Sequence, residues 1–203
     1  MTKKSREIGI NFLNSFDKYI AENINDLTTL DIFTMYFDFF EDLKRFKGNS
    51  NSFTGLGEYL LFRYLYNYLG GSFKAVPITK ELFIFKSLEN DYCIGQSSPI
   101  TVESKKYYPD IMVYKNNEPF LVAEIKLYLT SGLKDLENDI NKLKHIHKNY
   151  PNSKCLFICF KGFSKKGKIY KHLIDETEAN EWLNYLILEN EEKNLNEFFD
   201  TIL

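Results

Sequence analysis

Residues 119–160 narrow the fold most. "PFLVAEIKLYL" (119–129) is an apolar run of strand character. After it, Leu133, Leu136, Ile140, Leu143 and Ile146 recur at spacings of 3, 4, 3 and 3, which predicts an amphipathic helix over 131–149. "KCLFICF" (154–160) is almost wholly apolar, as in a strand buried on both faces. Strand, helix and strand in this order predict a βαβ unit with parallel strands, hence a sheet covered by helices.

The residues before this unit extend the sheet. "DIMVYK" (110–115) and 119–129 flank the short polar connector "NNEP" (116–119), which predicts an antiparallel hairpin. Short β-like runs lie at 81–86 and 91–95. Upstream, helical spacing of apolar residues marks 5–23 and 26–47, and a third helix over 55–69 closes at Gly70-Gly71. The connector 48–55 is polar and glycine-bearing, so it reads as a loop. In the tail, helices are expected near 176–189 and 193–202. The expected layout is a single domain: an N-terminal helical extension (1–50), a core (51–172) and acidic C-terminal helices (173–203).

A chain of 203 residues with 44% hydrophobic and 16% aromatic content can bury a substantial core. Its net charge of −2 conceals an asymmetry. Residues 173–203 carry nine acids against Lys193 alone, leaving 1–172 with a net charge of +6. Such a body is compatible with a polyanion partner, and equally with an ordinary solvated surface. Cys93, Cys155 and Cys159 form no CxxC pair and read as buried free thiols. A cytoplasmic setting is expected from them, and from the lack of a secretory apolar run near the N-terminus. No apolar stretch reaches the length of a membrane span, so no membrane partner is expected.

Three charges interrupt the apolar hairpin. Alternation puts Phe120, Val122, Glu124, Lys126 and Tyr128 on one face, and Leu121, Ala123, Ile125, Leu127 and Leu129 on the other. A turn centred near residue 117 brings Asp110 level with Glu124. Two carboxylates side by side repel unless a cation lies between them. Hard divalent cations such as Mg²⁺ take carboxylate, carbonyl and water oxygens. Lys126 falls beside that cation, where its pKa is expected to be lowered so that it assists water deprotonation or holds the water. The alternative is an edge hairpin whose charges form a solvated ion pair.

Pro109-Asp110, thirteen intervening residues and Glu124-x-Lys126 resemble the signature of the PD-(D/E)xK, or restriction-endonuclease-like, nuclease superfamily. The resemblance covers about 55–160. It implies an α/β fold: a restriction-endonuclease-like core with a central mixed β-sheet flanked by helices, here with added N- and C-terminal helices. It further implies Asp110 and Glu124 as ligands of Mg²⁺, with Mn²⁺ able to substitute, the Ile125 carbonyl as a third ligand, and Lys126 as the water-activating group. The family often adds an acid from its first core helix. Glu58 fits that place, sharing a helix face with Leu61, Phe62, Leu65 and Leu69. The macrodipole favouring a glutamate near a helix start explains Glu58 equally well.

Other residues point less sharply. Lys134, Asn138 and Lys142 either line the cleft or belong to a solvated helix face. His145 and His147, two apart on a helix, diverge and make a poor metal pair. "KGFSKKGKIYKH" (161–172) holds Lys161, Lys165, Lys166, Lys168 and Lys171 without an acid. It reads as a phosphate-contacting loop or a plain charge run. The resulting expectation is a Mg²⁺-dependent nuclease, DNA favoured over RNA, with a homodimer compatible with duplex cleavage. The rival is a catalytically inactive nuclease-fold protein serving as a nucleic-acid-binding or assembly module.

Overall fold

The computed structural model describes residues 3–47, 54–79, 83–128, 132–161, 167–189 and 192–203. Three helices come first: α1 (Lys3–Glu22), α2 (Thr29–Lys47) and α3 (Thr54–Tyr68). Strands β1 (Phe73–Pro77), β2 (Phe83–Ser87), β3 (Tyr92–Gln96), β4 (Ile100–Val102), β5 (Lys105–Tyr107), β6 (Ile111–Lys115) and β7 (Glu118–Tyr128) follow. Then come α4 (Leu133–Asn149), β8 (Lys154–Lys161), α5 (Lys168–Ala179), β9 (Leu183–Ile187) and α6 (Leu195–Asp200).

The architecture is α/β, built on a mixed seven-stranded sheet in the order β1-β2-β3-β6-β7-β8-β9. The first five strands pair antiparallel, and β7, β8 and β9 run parallel. β4 and β5 form a separate hairpin. The βαβ unit is therefore present, with α4 as its crossover. Among the described residues no helix is long and apolar enough to cross a membrane.

Helices cover both faces of the sheet because its strands bury both. One core gathers Ile20, Ile32, Tyr36, Leu60, Leu61 and Leu65 from α1–α3 with Ile111, Val113, Leu121, Ala123, Ile125, Ile158 and Phe199. The other gathers Leu136, Ile140, Leu143 and Ile146 of α4 and Leu173 of α5 with Met112, Val122, Cys155 and Phe157. The α4 residues are the stripe that the sequence spacing predicts. Gly57 lets α3 lie close on the sheet: a Cβ there would meet Leu127 at 2.8 Å and Phe160 at 3.1 Å.

The β6–β7 turn is tight because Asn116 and Asn117 adopt φ of 54° and 65°, the left-handed pair that suits a two-residue hairpin. From it, Val113 pairs with Leu121, Met112 with Val122 and Ile111 with Ala123. A bulge intervenes, since Tyr114 pairs with Pro119 and Phe120 is the extra residue. This corrects the expected face at the strand's start: Phe120 packs with the α1–α3 core rather than beside Val122. Tyr128 likewise meets Phe37 of α2, ring centroids 5.9 Å apart. Alternation holds from Leu121 to Lys126.

The tail differs from the expected pair of helices. Residues 176–189 do not form one helix: α5 ends at Ala179, and 183–187 is strand β9. Pairing with β8 satisfies that strand's outer edge, including Cys155 N to Trp182 O at 2.8 Å and Leu188 N to Cys159 O at 2.9 Å. The segment also buries side chains on both faces, Leu186 in one core and Leu183 and Ile187 in the other. The lysine-bearing run 161–172 is not a loop throughout, because α5 begins at Lys168. Finally, α6 folds back on the N-terminal helices: Leu195 N donates to Leu27 O, and Tyr64 Oη to Asn196 Oδ1 at 2.6 Å.

Candidate active site

One register step beyond the Ile111–Ala123 pair brings Asp110 to the level of Glu124. The two belong to one site. Asp110 Oδ2 accepts the backbone N–H of Ile125 at 2.6 Å, tying the entry of β6 to the middle of β7. Glu124 shares a face with Val122, so its carboxylate points toward α4. It is 1% exposed.

Helix α4 supplies the countercharge. Lys142 Nζ lies 2.5 Å from Glu124 Oε2, and Lys126 Nζ lies 2.9 Å from Asp139 Oδ2. Lys142 also comes within 3.9 Å of the second Asp139 oxygen. Three acids and two lysines thus interleave between β7 and α4. Of Lys134, Asn138 and Lys142, it is Lys142 that enters this cluster. Lys134 is exposed.

Glu124, Asp110 and Lys126 are each held away from their ordinary pKa. Burial pushes Glu124 up to about 8, against the pull of Lys142 and with the push of Asp110. Burial also raises Asp110, opposed by the Ile125 N–H and by Lys142 and Lys126. For Lys126, burial acts to lower the pKa, but contact with Asp139 outweighs it and holds the ammonium above its usual value. The expected lowering of Lys126 is therefore absent from this arrangement, because its nearest charge is an acid.

One carboxylate oxygen of the cluster has neither a hydrogen bond nor an ion pair among the described residues. Glu124 Oε1 is buried without a hydrogen-bond partner among the described residues. A buried carboxylate oxygen left bare costs roughly 1–3 kcal/mol or more, so this corner suits an added donor or cation. Among the described residues, no three acid, histidine or cysteine side chains form a ready-made metal cage.

Glu58 approaches from α3. Its Oε2 accepts from Gln96 Nε2 at 3.2 Å, at the end of β3. Burial raises its pKa, and the charge of Asp110 raises it further. The remaining candidates lie elsewhere. Lys161 Nζ sits 5.6 Å over the Phe37 ring, on the α2 side of the sheet. Lys168 and Lys171 are exposed on α5. Lys165 and Lys166 lie outside the described residues. His145 and His147 diverge, their Nδ1 atoms meeting Asn141 O and Ser153 O respectively.

Asp139 is the site residue that sequence reading missed. It stands three residues after Leu136 and four before Leu143, both buried on the α4 stripe. An acid inside a helical apolar stripe is the same signal that singled out Glu58.

No protein-family model, curated protein or solved structure matches the chain.

Proposed function

We propose that the chain is a metal-dependent nuclease with a restriction-endonuclease-like core, hydrolysing phosphodiester bonds with DNA as its substrate. The observation that supports this best is the pairing of Asp110 with a buried Glu124 whose Oε1 lacks a partner. The donor set fits a hard divalent cation. Asp110 and Glu124 offer carboxylate oxygens, the Ile125 carbonyl is a third ligand by resemblance, and water fills the rest, as Mg²⁺ prefers. When bound, Mg²⁺ lowers the pKa of coordinated water and offsets developing phosphoryl charge.

The chain's own residues do the rest. The Asp110–Ile125 bond fixes the distance between the two strands that carry the acids. Asp139 anchors Lys126, so the ammonium is held ready to hydrogen-bond an attacking water or a phosphate oxygen. Lys142 is the countercharge that Glu124 meets once it ionises.

Purified protein should cut DNA, nicking plasmid or cleaving an unpaired strand, with Mg²⁺ or Mn²⁺. Asp110→Ala and Lys126→Ala should each abolish this while far-UV circular dichroism stays unchanged. Cleavage that survives both substitutions would sink the site assignment.

One observation favours the second reading, a nuclease-like fold kept as a nucleic-acid-binding or assembly module. The lysines already pair with Glu124 and Asp139, so the cluster can stand without an ion. A Mn²⁺ titration separates the two. A thermal shift removed by Glu124→Ala supports the nuclease. No shift at millimolar Mn²⁺ supports the module.

A further inference from the structure

A cleft of about 600 Å³ opens beside the cluster, between the β4–β5 hairpin and α4. Asp139 and Lys142 of the cluster are among its lining residues. Lys105 and Tyr107 line one wall, and Asn138, Asn141 and His145 the other. The hairpin is tightly made: Glu103 and Ser104 at its tip have φ of 48° and 68°, again the left-handed pair of a two-residue turn. Its wall is therefore defined by backbone geometry.

The lining has the chemistry of a polynucleotide track. Tyr107 and His145 present near-parallel rings, centroids 6.3 Å apart at 27°. The Asn141 carbonyl, 3.1 Å from His145 Nδ1, orients that ring. Lys105 Nζ lies 4.9 Å over the Tyr107 ring, placing a cation beside the aromatic faces. The two asparagines offer amide donors and acceptors on the exposed side of α4. Aromatic faces joined to a cation suit unpaired bases, because stacking tolerates any sequence while paired bases hide their faces. The volume falls in the range that takes a molecule of nucleotide size. A duplex is much wider. The acids here are Glu103 and Asp139, and Asp139 is already matched by Lys126 and Lys142.

We infer that this cleft holds a single-stranded polynucleotide segment next to the scissile phosphate, with a base stacked on Tyr107 and His145 and a phosphate on Lys105. This rests on the nuclease reading and names the form of substrate that the site accepts. Under that reading the strand is DNA; RNA shares the base and phosphate chemistry and is the alternative that the experiment distinguishes.

The test is fluorescence anisotropy of labelled single-stranded DNA, single-stranded RNA and duplex DNA of one sequence. Chelator is present so that nothing is cut. Wild type should bind a single strand more tightly than the duplex, and the better of the two single strands identifies the source. His145→Ala and Tyr107→Ala should each weaken binding about ten-fold, and Tyr107→Phe should restore it. Lys105→Gln should lower the slope of log affinity against log salt by about 0.7. Lys74→Gln on β1, at the far sheet edge, should change nothing. Duplex preference, or ring variants that bind like wild type, overturns the inference. So does capture of free mononucleotide with no gain from a longer strand. If the ring variants bind normally while wild type shows Asp110-dependent cleavage, the cleft falls and the nuclease stands. If wild type neither binds nor cuts nucleic acid, both fall.

Discussion

The carboxylate of Asp110 accepts the backbone N–H of Ile125 across the β6–β7 hairpin at 2.6 Å. This bond makes a candidate ligand part of the scaffold. A hydrogen bond to a charged group contributes about 1.5–3 kcal/mol, but Asp110 is also strained by burial, which raises its pKa. Asp110→Ala should therefore lower stability by roughly 1 kcal/mol in urea unfolding. Asp110→Asn keeps an acceptor and should cost less. Both should abolish any Mn²⁺-induced thermal shift. Equal stability loss in the two variants would mean that the backbone bond contributes little.

The buried Glu124 makes stability pH-dependent. Its folded pKa of about 8 lies above the ordinary value of 4.5. Between these values the folded state holds a proton that the unfolded chain has released. Stability of the metal-free protein should fall as pH rises through this window, by at most about 1.4 kcal/mol per pH unit. Glu124→Gln should flatten that slope. Metal binding needs the ionised carboxylate, so apparent Mn²⁺ affinity should rise over the same range. Chemical denaturation of the two proteins from pH 5 to 8.5 measures the first effect. Parallel profiles would show that another group sets the slope.

The hairpin was legible in sequence for a specific reason. Asn116-Asn117 suits a two-residue turn, and that turn dictates which residues face each other. The bulge at Phe120 was not legible, since it depends on how Pro119 meets Tyr114. Pattern could not assign β9 either: an apolar segment buried on both faces lacks alternation and reads as helix or strand alike. The open edge of β8 decided it. The short β4 and β5 gave too little pattern to read. Asp139 carried a usable signal, but its partner Lys126 lies on another element, and only the crossover of α4 onto β7 brings them together.

The three cysteines are buried free thiols. Burial pushes Cys155 up to about 12 and also raises Cys93. A thiol that is both buried and protonated is a poor nucleophile. Ellman's reagent should therefore react with the native protein only as fast as it opens, and with three thiols at once in denaturant. Rapid modification of one cysteine in native buffer would show that the sheet opens locally around its strand.

Asp139 joins two lysines on different elements, so its removal should be felt at both. The Lys126–Asp139 pair is partly exposed, at 32% and 14%, which limits its net worth to about 1 kcal/mol. Asp139→Asn should thus cost little stability. Its larger effect should fall on Lys126, whose raised pKa depends on the Asp139 contact against the lowering effect of burial. In the variant that pKa should drop, and the ammonium should be less firmly placed. If Lys126 acts as a positioned cation, cleavage should weaken sharply. It should also acquire an alkaline limb at lower pH than in wild type, because the neutral amine forms sooner. A double-mutant cycle in stability with Lys126→Met separates this from simple damage. Coupling near 1 kcal/mol, with the alkaline limb of cleavage shifted in Asp139→Asn, assigns Asp139 the positioning role. Additive stability together with an unshifted alkaline limb removes it.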